Sequence, residues 1–155
     1  MYQYNRVGTT IVGGPYFAVL GAHGGAGTTT VTRFLDPDGS RGSLELTRGQ
    51  SMPPGYVPVV VARSTAYGMR SAADLLGTWH PSIPRPWLVI VKDAPLAAPK
   101  PVTFRRNTLQ RRVLGIADVP YLVQLRSADK PDEVLDQKSV QRAASQLRVK
   151  LGLSH

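Results

Sequence analysis

The feature that most constrains the fold is a glycine-rich segment, residues 21–30, placed directly after an apolar run. The run is Tyr16–Leu20, and the segment reads Gly-Ala-His-Gly-Gly-Ala-Gly-Thr-Thr-Thr. The residues that follow, 28–35, are suited to a short helix. Glycines let a chain turn sharply at little steric cost, and the amides of such a turn form a nest for an anion. The order strand, glycine-rich turn, helix therefore predicts a loop of the phosphate-binding kind.

This loop resembles the deviant Walker loop of the ParA/MinD-type P-loop ATPases, which reads Lys-Gly-Gly-x-Gly-Lys-Thr-Thr. The resemblance implies ATP or ADP with Mg²⁺ as the ligand, with Thr29 at the position of the hydroxyl that binds Mg²⁺. A weaker similarity to the family covers residues 59–72 and the stretch from Val119 to the last helix. The candidate anion-binding or nucleotide-binding residues are His23, Gly24, Gly25, Ala26, Gly27, Thr28, Thr29 and Thr30.

Both lysines of the family loop are replaced in this chain. His23 stands where the family has its signature lysine, and Thr28 stands where it has the phosphate lysine. An ammonium group there stabilises the charge that develops during phosphoryl transfer. The loss predicts severely weakened ATP binding and hydrolysis, and we assign no catalytic residue. Three interpretations stay open: a strand-to-helix turn without a ligand, an anion or nucleotide site, and an NTPase whose cation comes from His23, Lys92 or a second subunit.

Apolar runs alternate with stretches of helical spacing along the rest of the chain. The alternation predicts an α/β fold, a reduced P-loop-like parallel sheet of about four to five strands with helices on both faces. We expect a flexible leader over residues 1–14 with a candidate edge strand at 9–12, a single domain over 15–155, and an irregular connection over 36–56. The predicted strands are 16–20, 57–63, 87–92 and 120–125, and the predicted helices are 28–35, 66–79, 101–113 and 136–151.

The strand at 87–92 ends in Asp93, and an apolar strand followed by aspartate is similar to a Walker B motif, whose carboxylate holds Mg²⁺ through water. Thr29 and Asp93 are therefore candidate metal residues, although aspartate is also common at strand ends because it favours turns. Ligands of parallel sheets bind at the carboxyl ends of the strands. Residues 21–30, 63–66 and 93–100 are expected to share one cleft there.

Four arginines crowd the predicted helix at 101–113, with no acidic residue between Asp93 and Asp118. Arginines on an exposed helix face contact nucleic-acid phosphates with little sequence preference. The alternative is a solvated helix face without a partner. The candidate nucleic-acid or partner contacts are Arg105, Arg106, Arg111 and Arg112.

The charge balance indicates an anionic partner. Lys and Arg number 19 against 10 Asp and Glu, a net charge of +9 over 155 residues. Such a balance favours nucleic acid, an acidic protein or anionic lipid as a partner. The absence of cysteine excludes disulfides and thiolate metal sites and is compatible with the cytoplasm. No apolar run is long enough for a membrane span.

These features favour a non-catalytic ParA/MinD-like binding module of partition, positioning, or secretion and conjugation machinery. One alternative is a weak nucleotide-binding ATPase, and another is a basic nucleic-acid-binding accessory protein. A homo-oligomer built from this chain is a further expectation. A fold alone does not decide among these functions.

Overall fold

A computed structural model describes residues 15–153 of the protein. Five parallel strands form its centre. No helix in this part of the chain has the length and apolarity needed to cross a bilayer. Two short 3₁₀ turns, Gln110–Arg112 and Pro131–Glu133, accompany the regular elements. In chain order these elements are β1 (Phe17–Gly21), α1 (Thr28–Leu35), β2 (Leu44–Leu46), β3 (Val57–Arg63), α2 (Ala66–Gly77), β4 (Trp87–Val91), α3 (Lys100–Leu109), β5 (Gly115–Val119), α4 (Val123–Ser127) and α5 (Lys138–Lys150).

The strand order across the sheet is β2-β1-β3-β4-β5, and every pair is parallel. From β1 the chain moves to one side to form β2, and then to the other side to form β3. This reversal makes the carboxyl ends of β1 and β3 the topological switch point, where doubly wound sheets bind their ligands. The glycine-rich segment follows β1 directly and therefore lies at this point.

Helices cover both faces of the sheet, which confirms the predicted α/β class. Alternate side chains of β3 lie on opposite faces of the sheet, because successive side chains of a strand point in opposite directions. Val59 and Val61 join the core beneath α1 and α5, whereas Val60 and Ala62 join the core beneath α2 and α3. All four are fully buried, as expected for a central parallel strand.

The prediction of a strand at 120–125 is wrong. The last strand is β5, and α4 begins at Val123. β5 is not an unbroken apolar run, because it is an edge strand: Asp118 is exposed, and Gly115 lies beneath the ring of Trp87, which leaves no room for a Cβ atom.

The connection at 36–56 is irregular except for the three residues of β2. Between β2 and β3 the chain forms turns and no helix. This differs from the crossovers β3–α2–β4 and β4–α3–β5, each of which places a helix on the sheet. The candidate edge strand at 9–12 lies outside the described residues.

Candidate functional site

The glycine-rich segment forms a turn whose amides lead into the first turn of α1. Gly25 and Gly27 adopt φ values of 73° and 100°, in the left-handed region that favours glycine. Gly27 is the N-cap of α1 and supplies no side chain to cap the helix. The first intrahelical bond runs from the amide of Val31 to the carbonyl of Gly27, 3.0 Å. The amides of residues 28–30 therefore have no partner within the helix and carry its positive dipole end.

The Thr28 side chain lies over the end of β1. A Cβ atom on Gly21 would come within 2.6 Å of the Thr28 hydroxyl oxygen and 3.2 Å of the His23 carbonyl. A larger residue at position 21 would therefore force the Thr28 side chain or the loop to shift. The position that carries an ammonium in the family loop is here occupied by a short, uncharged side chain.

His23 is held in place by two hydrogen bonds. Its Nε2 accepts from the backbone amide of Arg63 at 3.1 Å, and its Nδ1 lies 2.9 Å from the Gly24 carbonyl oxygen. The two bonds together fit the neutral ring with its proton on Nδ1. The ring of Tyr67 lies edge-on at a centroid distance of 5.4 Å. His23 therefore ties the loop to the end of β3, and in this state it is not a substitute cation.

A cation does border the loop, and it comes from β3. The Nε of Arg63 donates to the Gly25 carbonyl at 3.0 Å, which leaves the two terminal nitrogens of the guanidinium without a hydrogen bond to the described residues. Arg63 lines the same cavity as the loop. The sequence places Arg63 at the end of a predicted strand, which is where ligand-binding residues of parallel sheets lie. Its contact with the loop joins residues 38 positions apart and follows only from the strand order.

Thr29 contacts a carboxylate of the short edge strand β2 through its hydroxyl. Its hydroxyl lies 2.9 and 3.1 Å from the two carboxylate oxygens of Glu45. Asp93 has other partners: its amide donates to the Ser64 hydroxyl oxygen at 2.8 Å, and Arg126 donates to its carbonyl at 2.6 Å. Within residues 15–153, no three His, Asp or Glu side chains gather as a metal site. No described hydrogen bond or ion pair joins Thr29 to Asp93.

A cavity of about 1280 Å³ opens beside the loop. Its borders are residues 20–30, the segment after β2 as far as Met52, and one side of α2 with the turn that follows it. Residues 93–100, expected to share this cleft, are not among its described lining. Lys92 instead borders a second, smaller cavity of about 230 Å³ between β4, β5 and α3.

The four arginines differ in their surroundings. Arg106 makes a two-pronged ion pair with Asp118, at 2.7 and 2.9 Å. Arg105 is half-buried, whereas Arg111 and Arg112 are exposed on the 3₁₀ turn that ends α3. The pairing was hidden in the sequence because Asp118 reaches Arg106 from the neighbouring strand.

Known proteins add no assignment to this site. No protein-family model matches the chain, and no curated protein or solved structure matches it either. The resemblance of residues 23–30 to the ParA/MinD-type loop stays a prediction, which ligand binding can test.

Proposed function

We propose that this chain is a non-catalytic, ParA/MinD-like binding module whose lysine-less loop holds a phosphate-like anion. It acts in the cytoplasm, in partition, positioning, or secretion and conjugation machinery, with an acidic protein, nucleic acid or a second copy as its partner. One observation carries the proposal: the uncapped first turn of α1 and the guanidinium of Arg63 border the same cavity at the switch point of the sheet. Free amides, a helix dipole and a cation together favour an anion.

Two contacts argue against catalysis. Thr28 offers no positive charge, and its hydroxyl packs against Gly21. The His23 ring uses both nitrogens to hold the loop. The described lining of the site therefore offers an anion the guanidinium of Arg63, but it contains no lysine of the kind that binds the phosphates in the family loop.

Calorimetry of the full chain at low salt tests the proposal, with tripolyphosphate, ADP and ATP as probes, each with and without Mg²⁺. We expect weak binding that does not depend on Mg²⁺, and no release of phosphate from ATP. Arg63→Gln should weaken tripolyphosphate binding severalfold because it removes the cation. Arg70→Gln, an exposed arginine of α2 outside the cavity lining, is the matched control. Failure of tripolyphosphate to bind at millimolar concentration would overturn the proposal.

Restoring the missing charge gives a second test. Thr28→Lys should tighten nucleotide binding by at least about tenfold, because a hydrogen bond to a charged group is worth about 1.5–3 kcal/mol. Thr28→Val, which keeps the side-chain size without a charge, should not. Equal affinities in the two variants would show that position 28 does not face the bound phosphates.

The contact of Thr29 with Glu45 favours one alternative, a weak nucleotide-binding ATPase. A hydroxyl and a carboxylate are both oxygen ligands of the kind Mg²⁺ prefers, and both side chains border the cavity. This alternative requires nucleotide binding that depends on Mg²⁺ and disappears in Thr29→Ala and Glu45→Gln. Binding that ignores Mg²⁺ would discard it.

The exposure of Arg111 and Arg112 favours the other alternative, a nucleic-acid-binding accessory protein. The double variant Arg111→Gln and Arg112→Gln should then remove salt-sensitive DNA binding, since each phosphate contact contributes about one unit to the salt slope. Arg106→Gln should change DNA binding little, because Asp118 already engages that guanidinium. DNA binding that is unchanged in the double variant would exclude this interface.

A further inference from the structure

Within residues 15–153, β2 has no helix of its own on the side of the sheet that carries α2. Ala18 and Leu20 of β1 pair in register with Leu44 and Leu46 of β2, so these four side chains share a face. Leu20 packs against the core of α2 and α3, which identifies the face as theirs. The chain between β2 and β3 forms no helix, so within residues 15–153 no crossover helix covers β2 on this side, whereas Ala18 of β1 is fully buried.

The open face forms a long groove rather than a small pocket. Leu20 is only half-buried although β1 lies inside the sheet, and Leu44 is 39% exposed. The groove is the cavity of about 1280 Å³, which Leu20 and Leu46 line. Along α2 its wall runs from Tyr67 to Thr78, a length of about 16 Å, or three helical turns, at a rise of about 1.5 Å per residue.

The lining of the groove has the chemistry of a helix-binding surface. Leu20 and Leu46 of the sheet form the floor, and the rest of the apolar lining includes Leu75 of α2, Met52 after β2, and Trp79 and Ile83 after α2. Grooves of this kind bind the apolar face of an amphipathic helix through residues spaced three and four apart. A doubly wound sheet normally covers such a face with a crossover helix of its own.

Two arginines and two carboxylates line the groove, and the positive groups gather at its loop end. Arg48, Arg63 and the free amides of α1 border the end at the loop. Glu45 at the same end accepts the hydroxyl of Thr29, and Asp74 lies midway along the wall without an ion pair among the described residues. With the net charge of +9, the loop end favours acidic side chains.

A helix of a second copy does not fit this charge pattern. Basic residues occur in all five α-helices described in residues 15–153, and Asp74 is the one acidic residue among those helices. Docking one of them would bring arginine or lysine towards Arg48 and Arg63. Like charges held together across an interface oppose association.

We propose that the groove between α2 and the segment after β2 binds an amphipathic helix of an acidic partner protein. The partner helix takes the place of the missing crossover helix, with its apolar side on Leu20 and Leu46 and its acidic residues at the loop end. The proposal names a partner for the binding module proposed above. It rests on that proposed function only in assuming that the chain is a binding module.

Selection from a displayed library of random 14-residue peptides on the full chain tests the proposal. We expect enriched peptides with apolar residues spaced three and four apart and with acidic residues near one end. Ser71→Trp fills the groove from the wall of α2 and should weaken the enriched peptides at least about tenfold. Gly77→Trp is the matched control, because a side chain at Gly77 meets open space and lies outside the lining.

Leu46→Ser, a change on the half-exposed floor, supplies a second variant should Ser71→Trp not fold. The proposal is overturned by selection without helical spacing, or by peptide affinity that survives both variants. It is also overturned by light scattering that shows a dimer which Ser71→Trp dissociates, since a second copy would then occupy the groove. Tripolyphosphate binding should persist in Ser71→Trp. Its absence from the wild type would refute the anion site and leave the groove proposal standing.

Discussion

Gly68 is the point where α2, β3 and the loop come closest together. A Cβ atom there would collide with the carbonyl oxygen of Arg63 and lie 3.0 Å from His23 Nε2 and 3.1 Å from the Arg63 amide nitrogen. Two of these three atoms belong to the backbone, which cannot swing aside as a flexible side chain can. We therefore predict that Gly68→Ala destabilises the protein although alanine favours helices.

The size of the destabilisation by Gly68→Ala follows from two opposed effects. Replacing glycine by alanine in a helix gains about 1 kcal/mol, whereas forcing a methyl group into closed space costs about 1–3 kcal/mol. Gly77→Ala, in the same helix but facing open space, should show the gain alone. The free energies of unfolding of the two variants should therefore differ by about 1–3 kcal/mol, since the helix gain largely cancels between them.

Urea and thermal unfolding of both variants measure this difference. A change of 1 kcal/mol corresponds to about 2–4 °C in Tm for a protein of this size. Gly68→Ala should also weaken tripolyphosphate binding, because the bond of His23 to the Arg63 amide is displaced. A Gly68→Ala variant as stable as Gly77→Ala would refute the close packing of α2 on the end of β3.

Two further stability predictions concern the sheet edge and the chain after α1. Gly115→Ala should destabilise the protein by about 1–3 kcal/mol in urea unfolding, because its methyl group would strike the Trp87 ring; a smaller loss in combination with Trp87→Leu would confirm the cause. Asp36→Ala should cost about 2–3 kcal/mol, because the buried carboxylate accepts the amides of Arg41 and Ser43, each at 3.0 Å. Asp38→Ala, at an exposed position, is the control for Asp36→Ala. Equal losses of unfolding free energy in these two variants would refute a stabilising role for the buried carboxylate.

The fold could largely be predicted from the sequence because the central strands bury both faces. A buried parallel strand is a continuous apolar run, and β3 and β4 are such runs. β5 was missed for the opposite reason, since an edge strand with Gly115 under a ring and Asp118 in an ion pair lacks that signature. The more apolar stretch that follows instead begins α4.

The site was only half predictable. The turn was recognised because its glycines are local in sequence, and Gly25 and Gly27 do adopt the left-handed conformation. Arg63, Glu45 and the groove depend on which strands flank β1. That order is set by long-range packing and has no local sequence pattern.

A substitution of Gly24 distinguishes a loop that binds an anion from a turn without a ligand. The other glycines of the turn have a structural reason: Gly21 lies under Thr28, Gly25 has a positive φ, and Gly27 has a positive φ and packs on Val91. Gly24 has neither a positive φ nor a neighbour within 4 Å of an added Cβ. Gly24→Ala should therefore leave the unfolding free energy nearly unchanged.

Anion affinity is where the two interpretations of Gly24 differ. A methyl group at this exposed position of the cavity lining obstructs an anion approaching the amides, and tripolyphosphate affinity should fall at least about tenfold, or 1.4 kcal/mol. A turn without a ligand predicts no change in any measurement. Calorimetry of Gly24→Ala beside the wild type, with urea unfolding as the control for folding, separates them, and an unchanged affinity would exclude anion binding through these amides.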